Sequence, residues 1–211
     1  MVNQHSDARL DRRKREILDG AFEVFADKGF AAASIADIAT HLRIGHGTVY
    51  RYFQNKHDVF DRVVQLVIER IAASIADELP DATDDLISYR AQVHRIAEKL
   101  LSLLDHDPRA AKVLFIEASG VSKELDAKMV ELWKLLGKMT EAYLVNGKRK
   151  GFLRADLDTE ITGLAINAMI FEGARQIARV GLGKQARTRW IDGITALMFD
   201  GVRAQPKSTR K

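Results

Sequence analysis

The sequence predicts an all-α protein, with a compact N-terminal helical unit joined to a larger helical domain. Three observations carry this reading. Proline occurs only three times in 211 residues. Alternating β-branched runs of the kind that build strands are hard to find. Apolar residues recur every three to four positions through long segments, the period of an α-helix.

The elements follow in order. Ile17, Ala21, Val24 and Phe25 share one face of a first amphipathic helix, about residues 9–28, and Gly29 suits a left-handed cap at its end. Ser34 and Asp37 have the spacing of an N-cap and capping box, and Ile35, Ile38, Ala39 and Leu42 give the buried side of a short helix over 35–42. A third short helix runs from Gly45 or His46 to Phe53. Asn55 with Asp58 forms another cap, and Val59, Val63, Val67, Ile71 and Ile75 are the stripe of a fourth, longer helix. Leu79-Pro80-Asp81-Ala82-Thr83-Asp84 breaks the period and reads as a loop or domain junction.

Periodicity resumes through Tyr89, Val93, Ile96, Leu100, Leu103 and Leu104. Asp107-Pro108 is an N-cap followed by proline at the first helical position, opening a helix with Val113, Leu114 and Phe115 that ends near Gly120. A long helix over about 122–149 carries Leu125, Met129, Leu132, Leu136, Met139 and Tyr143 on its apolar side and stops at Gly151. Two more, about 157–180 and 184–202, are separated by Gly181 and Gly183. The domains expected are 9–56, 57–203 and a disordered basic tail over 204–211.

Composition narrows the class. With 46% hydrophobic and 29% charged residues the chain is an ordinary globular protein. It has no apolar run of the length a membrane helix needs. The polar residues 1–15 lack an apolar signal core, so the expected location is the cytoplasm. The absence of cysteine excludes disulfides and thiolate metal sites and suits a reducing compartment. The net charge of +4 is concentrated at the ends. Arg9, Arg12, Arg13, Lys14 and Arg15 outweigh Asp7 and Asp11, and Arg203, Lys207, Arg210 and Lys211 have no acid among them. The N-terminal run leads straight into the first helix, where a basic arm reaches phosphates or a minor groove.

The informative stretch is 34–53. Two short helices flank a tight turn, and Ile38, Ala39, Leu42, Ile44, Val49 and Phe53 can all face inward. Thr48, Tyr50, Arg51 and Tyr52 are then free to project from the second helix, a set of hydroxyls and one guanidinium suited to phosphates and base edges in a major groove. Gly45 and Gly47 leave the start of that helix uncluttered, so its N–H groups are open to a phosphate. His41, His46 and His57 do not form a helical i,i+4 pair, so no metal and no cofactor are expected.

This stretch resembles the tetracycline-repressor (TetR) family of bacterial regulators. The residues that carry the resemblance are Gly29-Phe30, Ser34, Gly47-Thr48-Val49-Tyr50-Arg51-Tyr52-Phe53 and Asn55-Lys56, in order and without a gap over about residues 12–60. The resemblance implies that Ser34 caps its helix and donates to a phosphate. Thr48, Tyr50, Tyr52 and Lys56 then stand at backbone-contacting positions, with His46 near the bases and Gly47, Arg51 and Arg43 beside them. Two positions depart from the pattern. Arg43 stands where glycine is usual, and Gly45 where serine or a similar polar residue is.

The rest of the chain matches that family only in length and helical character. For it, the resemblance implies a ligand-binding and dimerisation domain, hence a small apolar effector, a palindromic double-stranded operator and a homodimer formed through the last two long helices. Phe115, Met129, Trp133, Tyr143, Asn167, Met169, Phe171 and Glu172 are the candidate cavity residues, with His94, Glu117 and Arg175 as further polar groups. A ligand-binding or protein-interaction module without DNA binding is one rival reading, which Thr48, Tyr50 and Lys56 together argue against; an all-helical enzyme is the other. No nucleophile–base pair, metal cluster or phosphate loop supports it, so no enzyme activity is expected.

Overall fold

The structure, a computed structural model, describes residues 3–181 and 183–201, and the described residues contain helices and no strand. In order they are α1 (Asn3–Lys28), α2 (Ile35–His41), α3 (His46–Tyr50), α4 (Lys56–Ser74), α5 (Leu86–His106), α6 (Pro108–Lys112), α7 (Lys123–Lys150), α8 (Thr159–Val180) and α9 (Gly183–Phe199). A π-helical segment, Val113–Glu117, continues α6. None of the described helices is long and apolar enough to cross a membrane.

The caps are where the side chains place them. Ser34 and Asp37 form the reciprocal capping box of α2. Asn55 accepts from the Asp58 amide, Asp107 from the Arg109 amide, and Ser122 from the Leu125 amide. Each satisfies a backbone N–H that a helix start leaves without an internal partner. Gly151 closes α7 at φ 79°, a conformation open to glycine at little cost. Two bounds differ from expectation. α1 begins at Asn3 rather than near residue 9, so the basic run is helical from its start, and Arg12 and Arg13 pair with Glu16. α3 stops at Tyr50, and Arg51 and Tyr52 fall in the turn after it. The expected tail, 204–211, lies outside the described residues.

The N-terminal unit is built on Ile17, Phe25, Ile38, Val49, Phe60 and Val63, all essentially inaccessible to water. Phe25 meets Phe60 edge-on with ring centroids 5.0 Å apart, a favoured aromatic geometry. The same cluster continues without a break into Val113, Leu114, Leu125 and Met129. α4 therefore packs at one end on α1 and, at the other, on the larger domain.

The segment between α4 and α5 is a loop, as its sequence predicts, but it is tightly held. The Glu78 side chain is buried and paired with Arg95 at 3.0 Å and Lys99 at 2.9 Å. The Arg95 guanidinium, with Lys99, keeps its carboxyl below the usual range despite the opposing effect of burial. The Gln92 side chain donates to Leu79 O at 2.8 Å, that of Asn146 to Thr83 O at 3.1 Å, and the Tyr143 hydroxyl to Glu78 O.

α7 and α8 come close, backbone to backbone, where two glycines meet. A Cβ placed on Gly163 would sit 3.1 Å from the carbonyl oxygen of Gly137 and from the amide nitrogen of Glu141. α9 packs on α5, anchored by Arg187 to Asp105 at 2.5 Å. Ala174 and Ile191, which the sequence places on the last two helices, are buried in the chain's own core.

Candidate nucleic-acid interface and effector cavity

The α2–turn–α3 unit owes its shape to a few residues. Ile38, Ala39, Val49 and Phe53 are buried and fix the two helices on α1 and α4. Arg43, at φ 54°, is the one non-glycine residue with positive φ among those described. Its amide donates to Thr40 O at 3.1 Å, and the Ile44 amide to Ala39 O at 2.9 Å, which reverses the chain within a few residues. The left-handed conformation expected where glycine is usual is therefore adopted by an arginine.

α3 presents His46, Gly47, Tyr50 and, just beyond it, Arg51 to solvent, with Thr48 half-buried. Tyr50 is 57% exposed, far more than an aromatic placed for packing. A Cβ on Gly45 or Gly47 would meet nothing within 4 Å, so the start of the helix is open. A shallow groove runs beside it, edged by Ser34, His46, Tyr50, Asn55 and Lys56.

Three of the expected contact residues are engaged elsewhere. The Ser34 hydroxyl donates to Asp37 Oδ2 at 2.6 Å while accepting from the Asp37 amide at 3.2 Å. Tyr52 is half-buried and packs against the N-terminal core. Lys56 Nζ donates to Phe30 O at 2.8 Å, Ala33 O at 3.0 Å and Ala31 O at 3.3 Å, which uses all three ammonium protons. It also lies over the Phe30 ring, 4.4 Å from the centroid. Lys56 thus clamps the start of α4 to the segment between α1 and α2. Beside it, Lys28 pairs with Asp37 at 2.5 Å, and this contact with the Ser34 bonds holds the Asp37 carboxyl down at about 2.

The larger domain encloses a cavity of about 190 Å³. Its walls come from α4 and the residue that caps it (Ile68, Ile71, Ile75), α5 (Val93, Ile96, Leu100), the π-helical segment (Leu114, Phe115), α7 (Trp133, Leu136, Met139, Tyr143) and α8 (Asn167, Ile170, Phe171). The Trp133 and Phe171 rings are 4.5 Å apart, and Phe115 stacks on Trp133 at 5.7 Å. Asn167 is 7% exposed; its Oδ1 accepts from the Thr140 hydroxyl at 3.2 Å, and its Nδ2 is sealed from water without a partner.

Phe115, Trp133, Tyr143, Asn167 and Phe171 are thus brought together, and three expected members of the set are not. Met129 packs in the N-terminal core and edges a smaller hollow with Ser119, Asp126 and Arg175. Met169 lines a separate shallow depression with Leu157 and Leu197, because it points off the opposite side of α8. Glu172 faces outward, bonded to Gln176 at 2.7 Å and paired with Arg175 at 3.3 Å. Of the further polar groups, His94 faces Asp192 at 3.7 Å. Glu117 accepts from the Phe30 amide at 2.9 Å, away from the cavity. The α4 and α5 walls escaped the sequence reading. Their signal was the stripe of α4, which runs on to Ile71 and Ile75, past what a three-helix unit can cover.

Comparison with known proteins bears on both halves. Residues 17–63 match the model of bacterial regulatory proteins of the tetR family. Residues 60–179 match that of the YsiA-like protein C-terminal region. The fatty acid metabolism regulator protein of Bacillus subtilis (strain 168) is 26% identical over 157 residues, 74% of this chain and 79% of that protein. The fatty acid degradation regulator FadR of Bacillus halodurans superposes with a TM-score of 0.79 at 24% identity, covering 92% of this chain and 97% of the other. The transcriptional regulator FadR of Bacillus subtilis, solved in complex with stearoyl-CoA, gives 0.76 at 22% identity, covering 90% and 99%.

Proposed function

The chain belongs to the tetR family of bacterial regulatory proteins and carries a YsiA-like C-terminal region; from that premise we propose that it is a repressor which binds a palindromic operator as a dimer and is released by a long-chain acyl effector. The family consists of DNA-binding transcriptional regulators rather than enzymes.

One observation carries the mechanism. The same helix, α4, is clamped to the DNA-binding unit by Lys56 at its start and walls the cavity with Ile68 and Ile71 toward its end. A ligand that bears on the far end of α4 therefore acts on the position of α3. The π-helical segment gives a second link. Leu114 and Phe115 line the cavity, Lys112 donates to Ala26 O at 2.6 Å, and Glu117 holds the Phe30 amide. Ligand shifts the equilibrium only by its differential affinity for the two arrangements, and coupling of about 1–3 kcal/mol is usual for such systems.

The effector class is supported by the cavity's nearly all-apolar lining and by the stearoyl-CoA bound to the FadR of Bacillus subtilis. The dimer is supported by the outer faces of α8 and α9. Ile161, Leu164 and Leu197 are 60%, 44% and 46% exposed there, beside the exposed small residues Ala165, Ala168 and Gly193. Such a patch calls for a partner, and a two-fold pair sets two α3 helices in successive major grooves about 34 Å apart.

The test is fluorescence anisotropy on DNA from upstream of the protein's own gene, with a salt titration and a series of acyl-CoA chain lengths. Affinity falls steeply with salt, and long-chain acyl-CoA releases the DNA. Unchanged affinity in the His46→Ala, Tyr50→Ala double variant overturns the DNA-binding assignment. Indifference to every acyl-CoA overturns the effector class.

A further inference from the structure

The cavity wall contains one side-chain polar atom that is sealed from water and has no partner, Asn167 Nδ2. Among its side chains, Tyr143 spends its hydroxyl on Glu78 O, outside the cavity. Asn167 is different. Its side-chain amide offers two N–H donors and one carbonyl oxygen, and it has a single partner, the Thr140 hydroxyl. Whichever way the amide is turned toward Thr140, at least one N–H is left over. That donor lies at the wall of an apolar cavity, shut off from water, on a residue 7% exposed. Leucine has the same branching and leaves no orphan donor, so hydrogen bonding within the protein gives no reason for an asparagine here.

We infer that Asn167 is a specificity-determining subsite that donates a hydrogen bond to an oxygen acceptor carried on the buried part of the effector. The inference rests on the reading of this cavity as the effector site. It adds that the effector is not a bare hydrocarbon once inside. Either its thioester carbonyl reaches Asn167, or its chain carries a hydroxyl or keto oxygen at that depth. Phe171 lies one helical turn from Asn167 on α8 and closes against Trp133, so the acceptor is held in a water-excluded compartment where one hydrogen bond discriminates strongly.

Four probes separate the possibilities, each titrated against wild type and Asn167→Leu by Trp133 fluorescence. They are decanoyl-CoA, 3-hydroxydecanoyl-CoA, the thioether S-decyl-CoA, and decan-2-one, which has an acceptor and no headgroup. The expected result is that wild type binds decan-2-one and that N167L weakens this about tenfold, the equivalent of one recovered hydrogen bond. S-decyl-CoA should bind both proteins alike. An equal loss for decanoyl-CoA identifies the thioester carbonyl as the acceptor, whereas a loss confined to 3-hydroxydecanoyl-CoA identifies a chain oxygen. If wild type takes decan-2-one in an Asn167-dependent way but none of the CoA probes, the acyl-CoA reading falls and the subsite stands. The subsite is overturned if N167L binds decan-2-one as tightly as wild type, if it loses S-decyl-CoA equally, or if wild type takes no decan-2-one. Should N167L not fold, the side-chain amide resonance of Asn167 in ¹⁵N-asparagine-labelled wild type decides the matter. It moves downfield with decan-2-one if the bond forms and stays in place if it does not.

Discussion

The Glu117 carboxylate accepts the backbone amide of Phe30 at 2.9 Å, a bond that spans 87 positions of chain. It joins the π-helical end of the cavity wall to the residue whose carbonyl and ring both receive Lys56. Cavity, interdomain contact and the start of α4 therefore meet at one residue. The same carboxylate would crowd a Cβ on Gly29, at 3.1 Å, and Gly29 itself sits at φ 78°. The glycine of the Gly29-Phe30 pair thus has a steric reason beyond its turn.

Glu117→Leu should uncouple ligand from DNA while leaving both sites intact. The Phe30 amide loses its acceptor, which costs about 1–3 kcal/mol of stability. The factor by which acyl-CoA weakens operator binding should collapse toward one, with Glu117→Gln, which still accepts, close to wild type. Anisotropy titrations with and without ligand measure this directly. A full ligand response in the leucine variant contradicts the relay.

Lys56→Met should lower the melting temperature in the absence of DNA. A lysine that serves phosphates alone leaves thermal stability unchanged, whereas this one binds three carbonyls. A loss of about 1–3 kcal/mol by denaturant titration is expected, together with weaker operator binding. An unchanged midpoint with weakened DNA binding returns Lys56 to a purely phosphate-contacting role.

Arg43→Gly should stabilise the protein by about 1 kcal/mol, since the native φ of 54° is strained for any side chain. Part of the gain is offset by the greater freedom of glycine in the unfolded chain. If Arg43 also meets a phosphate, the slope of log affinity against log salt becomes shallower by about one unit in the same variant. Calorimetry and a salt series read the two effects separately.

Asp37 makes a pH prediction. Its carboxyl, held at about 2 by Lys28 and Ser34 against an ordinary 3.8, is depressed on folding. The unfolded state binds this proton more readily, so the contribution is fully present above about pH 4 and drains away as pH falls through 2. Asp37→Asn should flatten the stability profile in that window and leave it parallel to wild type near neutrality. Denaturant melts at a series of pH values between 2 and 5 test it.

The local punctuation of this chain was legible in its residues. Ser34, Asn55, Asp107 and Gly151 each act within a few positions of themselves, and each cap lies where the spacing puts it. The turn was legible down to the discomfort of Arg43. What was not legible depends on partners far along the chain. Nothing near Glu117 announces Phe30, and nothing near Lys56 announces three carbonyls from the preceding connection. The cavity was half visible for the same reason. Periodicity marks Met169 and Glu172 as members of an amphipathic helix, but it does not decide which flank of α8 looks inward once α7 has packed against it.

The glycine-to-glycine approach of α7 and α8 has a mechanical consequence. Gly163 brings the α8 backbone up to the Gly137 carbonyl, with the Leu164 side chain seated against Gly137, so that wall has little left to compress. α4, by contrast, presents rotatable isoleucines to the cavity, while its first half is packed on α1 and clamped by Lys56. An occupant that needs room obtains it on the compliant side. The stiff wall works as an anvil: it converts the size of a guest, whatever its chemistry, into displacement in one direction, toward the reading head.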